Sequence, residues 1–389
     1  MPRMSRALLV QSLALASVIV AADRSDASCL PDSTHLNNAI YRICMPDARP
    51  WNGDLIVFAH GIVPAFQPVH IPEEHLLLPD GTSIPDLANA LGYGFAVSSF
   101  SRTGFAVAQA IPELVDLVSV FATVIAPAAH VYVVGPSAGA LIAALLVERR
   151  PDVFTGGVAA CGYVGDLWAH LEYLHDVRVL FDYFFPGTLP GDAVDVPDGV
   201  IIDWHTTHEP AIEAALASDL QRTLEIYRVL RIPVQSEPAA LVGVLAFLLA
   251  DHATTARNMR NVLGGQSYDN RQRIYRGSTD DVALNAGVGR FAATPEAVLR
   301  LFAFYTTQGR LTAPVVTIHT RGDPAIPYWQ EPLYRAKVVA AGSAPFHLNI
   351  PIARDGHCNV KAPEILAAFL AMVNMARNPP AAALAAEAR

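Results

Sequence analysis

The apolar positions between residues 39 and 162 fall into short runs separated by longer amphipathic segments. Runs of β-branched and aromatic residues favour strands, whereas apolar positions three and four residues apart favour helices. Strands that alternate with helices predict an α/β fold with a doubly wound, mostly parallel sheet. The predicted strands are Ala39–Met45, Leu55–His60, Tyr93–Phe100, His130–Val134 and Gly156–Ala160, and the predicted helices are Thr82–Leu91, Ala106–Ile125 and Ala138–Arg149.

The alternation stops after about residue 162 and resumes after about residue 305. The pattern between them is mostly helical and includes an aromatic-rich segment, Leu171–Phe185, and a nearly continuous apolar run, Ala239–Ala250. Because that run is too short to span a bilayer, we expect a buried helix, or one that partly lines an apolar pocket. Two further strands are predicted at Ala313–Asp323 and Phe346–Ile352.

One of the predicted strands runs directly into Gly135-Pro-Ser137-Ala-Gly139, and a helix-prone segment follows at once. Gly-x-Ser-x-Gly between a strand and a helix is the pattern of a nucleophile elbow, a sharp turn that exposes one serine. The flanking glycines permit the close backbone approach that such a turn requires. A dinucleotide-binding turn, the alternative interpretation, requires Gly-x-Gly-x-x-Gly, and this sequence lacks that spacing.

Partners for the serine follow the two later strands. Asp323 ends the first, and His357 lies just beyond the second. A serine hydroxyl is a weak nucleophile near neutral pH, so an imidazole must take its proton, and a carboxylate must orient that imidazole. Asp355 is the alternative acid, but it lies two residues before His357 and would have to fold back.

The remaining histidines near these strands are expected to be structural. His319 lies inside a strand and is predicted to be a core residue or a support for the site. His130 begins its strand at the far end from the chemistry, and His347 alternates within a strand.

These motifs, in the order Ser137, Asp323, His357, resemble those of secreted serine hydrolases of the α/β-hydrolase superfamily. The resemblance covers roughly residues 40–162 and 310–375. It implies that Ser137 is the nucleophile, His357 the general base and Asp323 its orienting acid. It also implies an α/β-hydrolase core of residues 28–162 and 306–377, with a helical cap of residues 163–305 inserted after the strand that follows the nucleophile helix.

The same resemblance implies an oxyanion hole, which in this superfamily combines two backbone N–H groups. One donor is the N–H of Ala138, the residue after the nucleophile. The other comes from the loop after the strand that ends in His60-Gly61, with Ile62 preferred and Gly61 as the alternative. His60 is expected to support this loop through hydrogen bonds.

The N-terminus is typical of a secretory signal peptide, residues 1–27: two arginines precede a mostly apolar segment that ends in small residues. A membrane anchor is the alternative, but the segment is short and interrupted by polar residues. We therefore expect a secreted or periplasmic protein with no stable membrane span. The Ala/Pro-rich residues 378–389 are expected to be a flexible tail that adds little to the core.

Export makes disulfides possible, and four cysteines allow three pairings. Cys29 and Cys44 flank a short segment and are predicted to pair. A bridge between Cys161 and Cys358 would then pin the His357 loop to the sheet, with free buried thiols as the alternative. The run Trp204–Glu209 contains two histidines, but it fits no zinc motif and no metal is predicted.

Composition limits the function further. The chain has 389 residues, 52% of them hydrophobic, and a net charge of −9, which makes nucleic acid an unsuitable partner. The predicted function is hydrolysis of small-molecule or polymeric carboxylic esters with an apolar or aromatic part, without a cofactor. The alternatives are a serine aminopeptidase or amidase and a non-catalytic binding protein of the same fold. Acidic cap residues that could hold a substrate amine are Glu172, Asp176, Asp182 and Asp203, and Arg102 is expected to be structural.

Overall fold

The sheet has nine strands in the computed structural model, which describes residues 27–233 and 237–379. They are β1 Ala27–Cys29, β2 Ser33–Thr34, β3 Ile40–Pro46, β4 Asp54–Phe58, β5 Gly94–Ser98, β6 His130–Pro136, β7 Gly156–Ala160, β8 Val315–Gly322 and β9 His347–Asp355. Their order is β1-β3-β5-β4-β6-β7-β8-β9, and β2 pairs with β3 off this path. The strands from β5 to β9 along this order are parallel, whereas β3 pairs antiparallel with β1, β2 and β5.

Twelve longer helices surround or cover this sheet within the described residues. They are α1 Ile84–Ala90, α2 Val107–Val124, α3 Ala138–Arg149, α4 Leu167–Phe184, α5 Asp198–Ile202, α6 Glu209–Ser218, α7 Leu220–Leu230, α8 Pro238–Leu263, α9 Asp281–Gly287, α10 Pro295–Tyr305, α11 Gln330–Ala340 and α12 Ala362–Arg377. Short helical turns lie at Leu36–Asn38, Glu73–Leu76, Trp204–His208 and Ala344–Phe346.

Each face of the sheet buries a separate apolar core. One core contains side chains of α2, α3 and α11, such as Leu117, Leu145 and Val338. The other contains side chains of α1 and α12, such as Ala88 and Phe369. Helices on both faces of a mostly parallel sheet define the doubly wound α/β class, and the strand–serine–helix turn after β6 makes this the α/β-hydrolase fold, as predicted.

The helices α4 to α10 all lie between β7 and β8, where the sequence predicts the cap. Buried side chains of α4 to α9 and of the turn at Trp204–His208 form a further apolar core, which includes Leu180, Trp204, Ile212 and Leu249. The helix α8 packs against α4, α6 and α10, so it holds much of this layer together. Much of this segment therefore packs around a core of its own, whereas the buried side chains of α10 belong to the core of the sheet.

The helices α2 and α8 are each long and apolar enough to cross a membrane when judged by length and composition alone. For α8 this corrects the expectation that the run Ala239–Ala250 is too short, because the run continues into a helix of 26 residues. Within the fold, α2 packs against α3 and β5, and half of the apolar window in α8 is buried.

The first described strand, β1, carries Cys29 directly opposite Cys44 of β3, and the two residues form a disulfide. Residues 1–26 of the predicted signal peptide, and residues 380–389 of the predicted tail, lie outside the described residues. Ala27, the last residue of the predicted signal, belongs to β1.

The second predicted disulfide is wrong, because Cys161 and Cys358 are free thiols. Each thiol is directed at a backbone carbonyl: Cys161 at Ile318 at 3.7 Å, and Cys358 at Ala160 at 3.5 Å. Burial raises the pKa of Cys161 and favours the protonated thiol, which is the form that donates such a hydrogen bond.

Replacing Gly139 by alanine is expected to destabilise the fold by about 3 kcal/mol, because the new Cβ would overlap the backbone carbonyl of Ala59. The matched control is Gly243→Ala in α8, where a Cβ meets no atom within 4 Å and helix propensity favours alanine by about 1 kcal/mol. Urea unfolding of both variants measures the difference. Equal stability of the two variants would show that the close approach at Gly139 is unimportant.

Removing the disulfide in a Cys29→Ser, Cys44→Ser variant is expected to cost about 3 kcal/mol, because the bridge closes a loop with a sequence separation of 15. The measurement is the unfolding free energy with and without a thiol reductant. Reductant should lower the stability of the wild-type chain to that of the variant and leave the variant unchanged. A wild-type stability that does not respond to reductant contradicts the prediction.

Candidate active site

Ser137 occupies the turn between β6 and α3 with φ 56° and ψ −122°, a conformation that non-glycine residues seldom adopt. Its N–H donates to the carbonyl of Ala160 at 2.8 Å, which fixes the turn against β7. A side chain on Gly135 or Gly139 would collide with neighbouring backbone, so the two glycines of the motif are required by contact. The positive end of α3 then faces the region around the serine hydroxyl.

The structure brings Ser137, His357 and Asp323 together from three separate loops. His357 Nε2 lies 3.1 Å from Ser137 Oγ, and His357 Nδ1 lies 2.8 Å from Asp323 Oδ2. The other carboxylate oxygen of Asp323 accepts from the N–H groups of Ala325 and Ile326 at 2.9 and 3.0 Å. These contacts hold the imidazole with one nitrogen toward the carboxylate and the other toward the hydroxyl, as a Ser-His-Asp arrangement requires.

The loop that carries His357 is attached to the end of β8. Thr320 Oγ1 donates to the carbonyl of Gly356 at 2.7 Å, and the Gly356 N–H donates to the carbonyl of Gly322 at 3.1 Å. These hydrogen bonds, together with the pairing of β8 and β9, hold the His357 loop at the end of β8. The alternative acid Asp355 is exposed and, among the described residues, makes no hydrogen bond or ion pair with the imidazole of His357, whereas Asp323 is fully buried beside it.

The electrostatics of the pair favour an ionised carboxylate next to the imidazole. Burial alone would raise the pKa of Asp323, but the charge of His357 and hydrogen bonds from His319 and His357 lower it to about 2. Burial opposes protonation of His357, and Asp323 outweighs it, so that the pKa of His357 lies above its usual value. A protonated imidazole at His357 would thereby be stabilised.

A second histidine contacts the same carboxylate oxygen as His357. His319 Nε2 lies 3.4 Å from Asp323 Oδ2, and its Nδ1 lies 3.0 Å from Glu331 Oε1. Burial lowers the pKa of His319, but hydrogen bonds to Asp323 and Glu331 raise it to about 10. His319 therefore supports the site from within the core, as expected. The partner Glu331, on α11, has no signal in the sequence.

The other two histidines lie away from the serine. His130 pairs with Asp54 at 2.8 Å at the amino end of the sheet, where Arg377 also contacts Asp54. His347 is buried and contacts Thr317 within the sheet. Both positions agree with the structural roles expected from the sequence.

The loop after β4 lies directly beside the serine. A Cβ built on Gly61 would lie 3.6 Å from the Cβ of Ser137, and Gly61 and Ile62 both line the cavity in front of it. His60 contacts the Gly61 carbonyl at 2.7 Å and stacks on Phe100, and burial lowers its pKa to about 4. This neutral histidine braces the loop. Ala138 is the first residue of α3 and follows Ser137 directly, so the residues predicted to supply the oxyanion donors lie next to Ser137 or line the cavity in front of it.

A cavity of about 1130 Å³ opens in front of Ser137 and His357. Its wall is largely apolar and combines core residues such as Leu87 with cap residues such as Trp204 and Phe247. The apolar run that begins at Ala239 therefore does both things considered from the sequence: Leu248 and Leu249 are buried in the cap, while Phe247 lines the pocket.

Two polar residues of this wall are not found by sequence reasoning. Tyr163 is buried beside Ser137 and packs on the ring of His170, and burial raises its pKa. Asp251 lies on α8 and lines the same cavity. The only sequence signal for Asp251 is a lone acid that follows an apolar run, and such acids are common at the ends of buried helical segments.

The four acids considered for amine binding do not line the cavity. Glu172 and Asp176 both pair with Arg273, and Asp182 pairs with Arg178. Asp203 is exposed.

Neither Arg102 nor the histidine-containing run Trp204–Glu209 forms a further site in the described part of the structure. Arg102 is half-buried and does not line the cavity in front of Ser137. Within residues 27–233 and 237–379, no group of three or more His, Cys, Asp or Glu residues is arranged to hold a metal ion. In the run Trp204–Glu209, His205 contacts Glu209 at 2.7 Å.

Comparison with known proteins concerns the fold alone. No protein-family model and no curated sequence matches the chain. Similar solved structures include the Pyrococcus horikoshii acylaminoacyl peptidase, with 11% identity, a TM-score of 0.43, and coverage of 92% of this chain and 42% of that one. This chain thus spans less than half the length of that peptidase.

Two esterases are similar over most of their length. For the Pyrococcus furiosus esterase the identity is 10%, the TM-score is 0.44, and the match covers 89% of this chain and 88% of that one. For the rice cell wall degrading esterase LipA from Xanthomonas oryzae the identity is 13%, the TM-score is 0.43, and 94% of each chain is covered. The chain thus has an α/β-hydrolase fold, and this fold brings Ser137, His357 and Asp323 into contact.

The variant Asp323→Asn is expected to lower kcat by about 10⁴-fold and to move the acid limb of kcat/KM to lower pH. His357 must be neutral to act as a base, so activity falls as the pH drops through its pKa. Because Asp323 raises that pKa, its removal lowers it. The measurement is kcat/KM against pH, which reports groups of the free enzyme. Asp355→Asn is the control and should change neither quantity; an unmoved limb in Asp323→Asn contradicts the assignment.

Proposed function

We propose that this protein is a serine hydrolase that cleaves carboxylic esters with an apolar or aromatic acyl or alcohol part. The observation that carries the proposal is the pair of contacts that His357 makes, at 3.1 Å to Ser137 and 2.8 Å to Asp323, at the mouth of an apolar cavity. A serine with such an aligned base is suited to acyl transfer, since the base can remove the hydroxyl proton as the oxygen attacks.

In the proposed acylation step, Ser137 Oγ attacks the ester carbonyl and His357 Nε2 takes the hydroxyl proton. Charge develops on the carbonyl oxygen, and the N–H of Ala138, together with the N–H of Ile62 or Gly61, stabilises it. Each such donor contributes about 3 kcal/mol to the transition state. The tetrahedral intermediate collapses when the C–O bond to the alcohol breaks and His357 returns the proton to the leaving oxygen.

In the proposed deacylation step, water repeats the attack on the acyl-serine. His357 Nε2 removes a proton from the water, the same donors stabilise the oxyanion, and the proton returns to Ser137 Oγ as the carboxylic acid leaves. Asp323 stays ionised throughout, which its low pKa of about 2 supports. The proposed reaction requires no cofactor.

The cavity supports an apolar or aromatic substrate. A volume of about 1130 Å³ with walls of leucine, isoleucine, phenylalanine and tryptophan suits a group well beyond acetate in size. The N-terminal segment and the Cys29–Cys44 disulfide support a secreted or periplasmic location. The substrate itself is a small-molecule or polymeric ester.

An aminopeptidase or amidase of the same fold is the second candidate, because the same three residues can acylate on an amide. The acidic cap residues paired with arginine do not support it, whereas Asp251 in the cavity does. A non-catalytic binding protein is disfavoured, because such a protein has no need for an aligned serine and imidazole.

The test combines labelling and turnover. A fluorophosphonate probe should label Ser137 in the folded chain, and p-nitrophenyl butyrate should be cleaved faster than alanine p-nitroanilide. Ser137→Ala should lose labelling and lower kcat by several orders of magnitude with little change in stability. Ser119→Ala, at an exposed serine of α2, is the matched control and should retain both. A preference for the anilide would contradict the ester proposal, and absence of labelling at Ser137 would contradict a serine hydrolase.

A further inference from the structure

The residue that the proposed mechanism leaves unexplained is Asp251. It lies on α8, deep within the protein, yet its side chain is only half-buried because part of its surface faces the cavity. Ser137 and His357 line the same cavity. A carboxylate of the cap therefore faces the space where the proposed substrate lies.

The charge of the Asp251 carboxylate is compensated by few groups of the protein. Its Oδ1 accepts from Thr255 Oγ1 at 3.0 Å, one turn further along α8. Among residues 27–233 and 237–379 it forms no ion pair within 4.0 Å, whereas Glu172, Asp176 and Asp182 of the same cap each pair with an arginine. The second carboxylate oxygen is free to meet a ligand in the cavity.

The cost of such a carboxylate points to a ligand. Charged groups withdrawn from water are disfavoured unless a partner of opposite charge compensates them. Burial accordingly raises the pKa of Asp251, and the hydrogen bond from Thr255 and the charge of His357 offset this only in part. An apolar side chain of similar size would remove the cost, so the carboxylate is poorly explained by packing alone.

The charged side chains of the described cavity wall are acidic. Its lining contains Asp251 and Glu74 but no lysine or arginine, and its histidines include His75, whose pKa is lowered by burial. An anionic substrate would meet two carboxylates and no fixed cation. A substrate with a positive charge would find complementary charge in an apolar setting, where ion pairs are strong.

Asp251 does not orient His357, because Asp323 already does so. Asp323 makes the hydrogen bond to His357 Nδ1 and is the main cause of the raised pKa of that imidazole. Asp251 comes from the cap helix α8 and has no hydrogen bond to His357 within the described part of the chain. Its position suits a contact with the substrate instead.

We propose that Asp251 binds a protonated amine of the substrate, so that the preferred substrates are carboxylic esters that carry an ammonium group several bonds away from the scissile carbonyl. This rests on the proposed function, because the carbonyl is taken to lie at Ser137. Asp251 is then a specificity-determining residue, and the apolar wall accepts the carbon chain that separates the amine from the ester.

The turnover test compares p-nitrophenyl 6-aminohexanoate with p-nitrophenyl heptanoate, which replaces the ammonium group by a methyl group. Asp251→Asn should lower kcat/KM for the amino ester by at least about tenfold and change it for the neutral ester by less than about threefold. Asp203→Asn removes the same charge from an exposed cap position and should leave the ratio unchanged. An equal loss of kcat/KM for both esters in Asp251→Asn would overturn the proposal. The proposal would also be overturned if Asp203→Asn changed the ratio of kcat/KM between the two esters as much as Asp251→Asn does.

A binding test separates this proposal from the proposed function and does not depend on whether Asp251→Asn folds. Calorimetry on the Ser137→Ala chain should show that hexylammonium binds at least about tenfold more tightly than hexanol. If this preference is present while neither ester is hydrolysed by the wild-type chain, the site for an amine stands and the hydrolase proposal fails. Equal or weaker binding of hexylammonium overturns the role of Asp251, whatever the turnover result.

Discussion

The hydrogen bond between Asp323 and His357 is the interaction on which the site depends. It joins the ends of β8 and β9, which are neighbours in the sheet, and places the imidazole 3.1 Å from a serine on the turn after β6. The carboxylate stays ionised in a buried place because two backbone N–H groups and two histidines surround it. A parallel sheet makes this possible, since all three strands end at one edge.

Many strands and helices of the sheet were predictable because they depend on local sequence patterns. The sequence predicted α3 and β7 with their observed bounds. The Gly-x-Ser-x-Gly motif marks where α3 begins, and a short apolar run marks β7. Strands β3 to β5 were predicted to within one or two residues. The short strands β1 and β2 were missed: two or three residues carry no periodicity, and their pairing with β3 depends on contacts along the sheet edge.

The parts that sequence reasoning missed depend on distant contacts. Glu331 and Asp251 reach the site from α11 and α8, and no motif marks either residue. The predicted Cys161–Cys358 disulfide failed for a related reason: adjacency in the fold was inferred correctly from the strand ends, but thiol direction depends on which carbonyls lie nearby. Charge compensation in the cap, where arginines neutralise three of the four acids considered, is likewise invisible in a single sequence.

In the proposed reaction the acyl group of a substrate passes through a covalent bond to Ser137. The most direct measurement is rapid quenching during turnover of p-nitrophenyl butyrate, followed by mass spectrometry of the digested chain. The expected result is a butyryl group on the peptide that contains Ser137, formed and lost at rates consistent with kcat. Turnover without any acyl adduct, or with the adduct on a different residue, would contradict it.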